Sequence, residues 1–175
     1  PTSLPGKYGI GDLGKEAFKF IDFLSSAGQK LWQVFPLGPT GYGDSPYQCF
    51  SAFAGNPLLI SPDRLKDEGL LSENDISEIP LYNPAEIDFG SVIDLKFILL
   101  KKAFTKFSNL SSSDHNKWKK FCDEQKDWLD DYAFFMAAKE YHNGELWTKW
   151  DKFLVVRDPI ALSEWKDKLS EKISY

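Results

Sequence analysis

The sequence predicts an α/β fold whose sheet is incomplete within the chain, followed by a largely helical region. Three observations carry that prediction. A helix-period stretch ending at Gly28 runs straight into a short, nearly continuous apolar run, Leu31–Phe35 (LWQVF). A helix followed at once by a buried strand is half of a βαβ unit, in which both sheet faces are covered. From about residue 90 onward the apolar positions keep helical spacing almost without a break. Finally, few later segments offer another buried strand, although a parallel ladder needs partners on both sides. The expectation is therefore that residues outside this chain complete the sheet, and that the chain is a piece of a larger protein.

Each element has its own signals. Asp12 is a candidate N-cap for a helix reaching about Ala27, with Ala17, Phe20, Ile21, Leu24 and Ala27 on the buried face and Gly28 as the left-handed stop. Pro36 ends the Leu31–Phe35 strand. After a long loop, Leu58–Ile60 reads as a short extended piece. Ser61-Pro62 reads as N-cap and first residue of a short helix ending near Gly69, and Ser72 with Asp75 as a second brief capped helix. Leu95, Ile98, Leu99, Ala103 and Phe107 define an amphipathic helix, which residues 111–114 (SSSD) break before capping the next. Trp118, Phe121, Cys122, Gln125, Leu129, Tyr132 and Met136 then keep helical spacing up to Gly144. Asp158-Pro159 starts a last helix with Leu162, Trp165, Leu169 and Ile173 on one side.

Bulk properties exclude several function classes. The 175 residues are 42% hydrophobic, enough for one ordinary domain with a core. A net charge of -5 without a basic stripe argues against nucleic acid as a partner. The Lys and Glu residues are mixed along the second half, as on solvated helix faces. Cys49 and Cys122 show no metal or disulfide spacing, which fits a reduced, cytoplasmic setting. No run approaches the roughly 20 apolar residues of a membrane span, so no membrane partner is expected. The chain opens on Pro1 rather than Met, which leaves room for a leader upstream. Asn109-Leu110-Ser111 is a glycosylation triplet of a kind common by chance.

One motif is a decoy. Residues 9–14 (GIGDLG) form a literal G-x-G-x-x-G at the start of a helix. A dinucleotide site needs a buried strand before it, and here Pro1–Lys7 (PTSLPGK) precedes. It also needs an acidic residue closing the next strand, which here ends Val34-Phe35-Pro36. The glycines are expected to shape a loop instead.

The stretch Pro36–Pro57 (PLGPTGYGDSPYQCFSAFAGNP) follows the C-terminal end of the expected strand, where α/β folds place ligand groups. Tyr42, Asp44, Ser45, Tyr47 and Gln48 cluster within seven positions. Gly41 and Gly43 permit left-handed turns and Pro46 fixes φ, so aromatic rings here can be held rigidly. A Tyr face packs on the C–H side of a pyranose while its hydroxyl hydrogen-bonds, and Asp and Gln serve pairs of sugar hydroxyls. Spacing alone leaves two readings open: a sugar-gripping loop, or a Gly/Pro corner with ordinary surface polars.

Ser3-Leu4-Pro5, Tyr8–Gly14 (YGIGDLG), Trp32-Gln33-Val34, Pro36–Gly41 (PLGPTG), Tyr42–Gln48 (YGDSPYQ) and Ser51–Pro57 (SAFAGNP) resemble the amylomaltases, 4-α-glucanotransferases also called disproportionating enzymes. Trp128–Ala133 (WLDDYA) is similar to part of that family's helical insertion. The resemblance implies that the chain is the N-terminal portion of a (β/α)8 TIM barrel with a largely helical insertion subdomain, the barrel being incomplete here. On that basis residues 1–60 hold the first barrel elements and the substrate loop, 61–90 a short mixed insertion, and 91–175 the helical insertion. The family's first strand would precede Pro1.

The resemblance also implies a chemistry, a retaining double displacement between α-1,4-glucans or maltooligosaccharides, with no metal or organic cofactor. The family's nucleophilic Asp, acid/base Glu and third, stabilising Asp lie on later barrel strands, and none can be matched here. The chain alone is therefore expected to be inactive, and the remainder of its own barrel is its expected structural partner. By motif match Tyr47 corresponds to the tyrosine that stacks under the transferred glucose and Ser45 to a neighbouring sugar contact. Asp44 and Gln48 are weaker candidates that hold the loop's shape. Tyr42 matches one residue of a secondary glucan site, and Phe89 stands where the other is a tyrosine, which leaves stacking and removes a hydroxyl. The rival readings are a non-catalytic α-glucan-binding module and a nucleotide-dependent enzyme. His115 and His142 have no metal-spaced partners and read as surface or cap residues. The six tryptophans read mainly as packing, with Trp147 and Trp150 near Gly144 the exceptions.

Overall fold

Short sequence signals punctuate the chain into eight α-helices among the described residues. The computed structural model describes residues 1–110 and 112–175, and of residues 42 and 112–114 the backbone alone. The helices are α1 (Lys15–Ser26), α2 (Pro62–Asp67), α3 (Glu73–Ser77), α4 (Phe89–Phe107), α5 (Ser112–Tyr141), α6 (Lys152–Val155), α7 (Pro159–Lys168) and α8 (Ser170–Ser174). Two compact units result, Pro1–Leu110 and Ser111–Tyr175.

Local chemistry explains most helix ends. Beyond α1, Gly28 takes a left-handed φ of 74°, its N–H donates to the Ser25 carbonyl, and the Gln29 N–H donates to Leu24. This double bond satisfies carbonyls that a helix end leaves orphaned. Gly69 repeats the arrangement after α2, with Leu70 donating to Leu65. α3 carries a reciprocal cap, the Ser72 hydroxyl oxygen accepting from the Asp75 N–H and the Asp75 carboxylate from the Ser72 N–H. Asp158 caps α7 through the N–H groups of Ile160 and Ala161.

Other expectations are corrected. α1 starts at Lys15 with Gly14 as N-cap, not at Asp12; Asp12 still serves, its Oδ1 accepting the Gly14 N–H at 2.9 Å. Leu58–Ile60 is not extended: a 3-10 turn over Pro57–Leu59 takes its place, because Asn56 caps it by accepting from the Leu58 N–H. The expected strand Leu31–Phe35 is not a strand, and none forms among the described residues apart from one isolated bridge. Strand backbone needs a ladder to satisfy its polar groups, and no described segment pairs with it. Leu31 is 90% exposed and Phe35 66%. Of the predicted buried face of α1, Ala17 is buried, whereas Ile21 and Ala27 are exposed. Phe20 keeps an edge-on contact with Trp32 at 5.0 Å.

The core of the first unit lies around α4. Its Val92, Lys96, Leu99 and Ala103 form a fully covered stripe, of which Lys96 was not foreseen and the expected Ile98 is exposed. Tyr8, Leu71, Ile76, Leu99 and Ala103 make one cluster, and Ile10, Leu58 and Val92 another. The glycines of residues 9–14 belong to this packing. A Cβ on Gly11 would stand 2.3 Å from the Pro1 carbonyl oxygen and 2.6 Å from that of Leu4. Close backbone approach, rather than phosphate binding, is what the decoy motif serves here.

In the second unit the expected stripe from Trp118 to Met136 is at most half-buried, and among the described side chains of α5 the covered ones are Phe134, Ala137 and Ala138. Within that unit α8 packs on this C-terminal end, so burial follows the partner rather than the periodicity. The expected cap and break at residues 111–114 lie outside the described side chains. Leu162, Trp165, Leu169 and Ile173 all join the cluster with Phe134 and Leu154, as their spacing predicts. The helix that carries them is broken at Leu169, which becomes the hinge between α7 and α8. His142 is an aromatic filler, its ring stacked between Trp150 (5.1 Å) and Trp165 (5.3 Å) with Nδ1 against the Ala138 carbonyl at 2.8 Å.

Candidate functional site

The loop Pro36–Pro57 is pinned at three heights. At its base the Asn56 N–H donates to the Leu37 carbonyl at 2.7 Å. Higher up, Thr40 and Cys49 form an antiparallel bridge, and Phe50 donates to the Pro39 carbonyl at 3.4 Å. Gly41 is required beside this bridge, because a Cβ there would sit 2.5 Å from the Gln48 carbonyl oxygen. At the tip, Tyr42–Asp44 form a 3-10 turn, with Asp44 donating its N–H to Gly41 at 3.3 Å. Asp44 itself holds a left-handed φ of 53°, a conformation tolerated best by short polar residues.

After the tip the chain turns on serines. The Ser45 Oγ accepts the Tyr47 N–H at 3.3 Å, and the Gln48 N–H donates to the Ser45 carbonyl at 3.2 Å. Ser51 does the same for Phe53 and Ala54. Such side-chain-to-backbone bonds replace the ladder that a loop lacks. Their effect is to hold Tyr47 outward. Tyr47 is 71% exposed, yet its ring meets the Phe35 ring edge-on at 5.8 Å.

Of the sequence-predicted residues, Asp44, Ser45, Tyr47 and Gln48 are therefore on one turn. Asp44 and Ser45 are half-buried, Tyr47 and Gln48 exposed. Ser45 keeps a proton to donate while its oxygen holds Tyr47. The side chain of Tyr42 lies outside the described residues. Phe89, the first residue of α4, is half-buried against the cluster of Ile10, Leu58 and Val92. A separate cleft of about 630 Å³ opens beside the loop's base, lined by Leu13, Leu37, Pro57, Leu59 and Leu65, with Arg64 and Glu68 as its charged groups. None of the predicted sugar contacts lines it.

Sequence reasoning missed Phe35 and Lys96. The apolar run that contains Phe35 has the pattern of a covered strand, which hides a partner for Tyr47 inside it. Lys96 falls on the apolar stripe of α4, where a hydrophobic-pattern reading skips a lysine. It is fully buried, with Nζ donating to the Ile60 carbonyl at 2.8 Å and standing 3.4 Å from Asp12 Oδ2. Burial pulls its ammonium below the ordinary lysine value, against the opposing pull of Asp12.

Comparisons with known proteins bear on the whole chain. The family model described as 4-alpha-glucanotransferase matches residues 1–175. A 4-alpha-glucanotransferase from Synechocystis sp. is 49% identical over 100% of this chain and 35% of its own length. One from Clostridium butyricum is 45% identical over 99% of this chain and 35% of its own. Among solved structures, the amylomaltase from Streptococcus agalactiae in complex with acarbose superposes with a TM-score of 0.94 at 41% identity, covering 99% of this chain and 35% of that one. The chain thus spans about a third of the length of these relatives. By the match along its full length and by its shared fold, the chain belongs to the 4-alpha-glucanotransferase family.

Proposed function

We propose that the chain is the N-terminal part of a 4-α-glucanotransferase that moves α-1,4-glucan segments between maltooligosaccharides or starch-like glucans. The observation that carries this reading is Tyr47, an aromatic ring 71% exposed on a loop whose backbone is pinned at its base, middle and tip. A large ring held in water by a rigid loop is suited to stacking on a pyranose, since little ordering remains to oppose binding. In this reading Tyr47 lies under the glucose being transferred, and Ser45 donates to a neighbouring sugar hydroxyl. Asp44 and Gln48 shape the turn and reach further hydroxyls. Tyr42 and Phe89 form a secondary glucan site, in which half-buried Phe89 keeps stacking but lacks the tyrosine hydroxyl.

In this reading the chemistry belongs to residues beyond this chain, on the later strands of a (β/α)8 barrel. A carboxylate attacks the anomeric carbon and displaces the glycosidic oxygen, which takes a proton from a second carboxylic acid. That residue, now a base, accepts the proton of an incoming glucan hydroxyl as it attacks the glycosyl-enzyme and releases the first carboxylate. Two inversions retain the configuration. Both roles are filled by carboxyl groups, so no metal or organic cofactor enters the reading. A cytoplasmic setting is part of it, supported by two free cysteines.

The test is incubation of maltotriose with the complete protein and with the 175-residue chain. Glucose and longer oligosaccharides are expected from the complete protein alone. Binding without transfer by the complete protein would favour a glucan-binding module. Product from the isolated chain would overturn the placement of the carboxylates outside it.

A further inference from the structure

A lysine fully removed from solvent is rare unless its charge has fixed partners, because desolvating an ammonium is costly. Lys96 has three such partners on two different segments of the first unit, the loop ahead of α1 and the turn before α2. Its Nζ donates to the Ile60 carbonyl at 2.8 Å, stands 3.4 Å from Asp12 Oδ2, and lies 5.3 Å from the centroid of the Tyr8 ring. Its relative exposure is 0%. Asp12 is itself largely covered, and its other oxygen holds the Gly14 N–H at the start of α1.

The bonds around Ile60 lead to the loop. The Ile60 N–H donates to Pro57, and Leu59 donates to Asn56 while its own carbonyl accepts from Leu13. Asn56 accepts from Leu58 through its side chain and donates its N–H to Leu37, one residue past the loop's first proline. One short turn, residues 56–60, therefore closes both ends of Pro36–Pro57, and Lys96 holds that turn from the interior of α4.

We propose that Lys96 is a positioning residue that fixes the base of the glucan loop, and through it the placement of Tyr47, without touching the sugar. The proposal rests on the glucan reading of Tyr47 for its functional consequence, but not for the anchoring itself. An apolar residue of similar length would serve α4 as core packing equally well. What it would not supply is a donor for the Ile60 carbonyl or a countercharge for Asp12.

The experiment compares wild type, Lys96→Met and the double variant Asp12→Asn/Lys96→Met in the complete protein, with two readouts. Amide hydrogen exchange of Leu13, Asn56, Leu59 and Ile60 is expected to speed up on the order of ten-fold in Lys96→Met, with Leu99 and Ala103 of α4 unchanged. The Kd for maltoheptaose is expected to rise on the order of ten-fold. The double variant removes the carboxylate left unpaired in the interior, so it should regain thermal stability while its exchange and affinity stay impaired. Recovery of both in the double variant would overturn the proposal, because charge balance alone would then explain Lys96. Unchanged exchange at residues 56–60 overturns the anchor whether or not glucan binds. Faster exchange with unchanged affinity in a glucan-binding wild type overturns the positioning role. Failure of the wild type to bind maltoheptaose contradicts the glucan reading instead, and the exchange data still decide the anchor.

Discussion

Phe35 meets Tyr47 edge-on, with ring centroids 5.8 Å apart and planes at 63°. Phe35 immediately precedes the loop and Tyr47 lies just past its tip, so the contact braces the ring that the loop offers to solvent. Edge-to-face aromatic pairs contribute about 0.5–1.5 kcal/mol beyond their buried area. In the complete protein Phe35→Ala should therefore weaken maltooligosaccharide binding by up to about ten-fold, while Phe35→Leu, which keeps bulk without a ring edge, gives an intermediate loss. Titration calorimetry of the two variants checks the order.

Asp75 gives the first unit an acid-sensitive joint. Hydrogen bonds from the Ser72 hydroxyl and N–H, and from Lys102 on α4, hold its carboxyl well below the ordinary value of 3.8. Because the folded value is depressed, this stabilisation is fully present above the unfolded value and is lost as pH falls below about 4. Asp75→Asn should lower stability at pH 7 by roughly 1 kcal/mol, the usual scale of a lost cap. It should also flatten the acid limb of a stability-against-pH curve measured by thermal unfolding. An acid limb as steep as that of the wild type would contradict the assignment.

Gly11 has no room for a side chain, since a Cβ would meet two backbone carbonyl oxygens within 2.6 Å. Gly11→Ala should therefore destabilise by about 1–3 kcal/mol, as overpacking does when the neighbours are backbone. Denaturant unfolding checks it. A change within a few tenths of a kcal/mol would mean that residues 1–4 yield freely.

Trp165 joins several members of the second unit's aromatic cluster. It stacks on His142, receives the Tyr141 ring edge at 5.1 Å, and carries the Lys168 ammonium 4.0 Å from its ring centroid. Trp165→Ala should cost about 3 kcal/mol, the lower end for large aromatic truncations because the residue is only half-buried. The loss should appear in near-ultraviolet circular dichroism on heating.

The helix ends legible in the sequence are those whose partners lie within a few positions. Gly28 and Gly69 close helices, Ser72 with Asp75 caps one, and Asp158 opens another, because each bond is local. Leu31–Phe35 could not be read this way, since a strand exists only with a ladder partner and none is present among the described residues. The stripe of α5 was misplaced for a related reason: burial at Phe134, Ala137 and Ala138 depends on where α8 docks, which periodicity does not encode. Lys96 was invisible because its ion pair spans 84 residues of sequence. In the candidate site, clustering and turn chemistry around Tyr47 were legible, but the sugar assignment came from family resemblance. The brace from Phe35 needed coordinates.

Stacking of Tyr47 on the glucan of a transferase carries the proposed function. Its most direct test is steady-state kinetics of maltotriose disproportionation by the complete protein with Tyr47, Tyr47→Phe and Tyr47→Ala. Tyr47→Phe should retain most of kcat/KM, and Tyr47→Ala should lose on the order of ten-fold or more. Equal kcat/KM for Tyr47→Ala and wild type would contradict stacking at Tyr47.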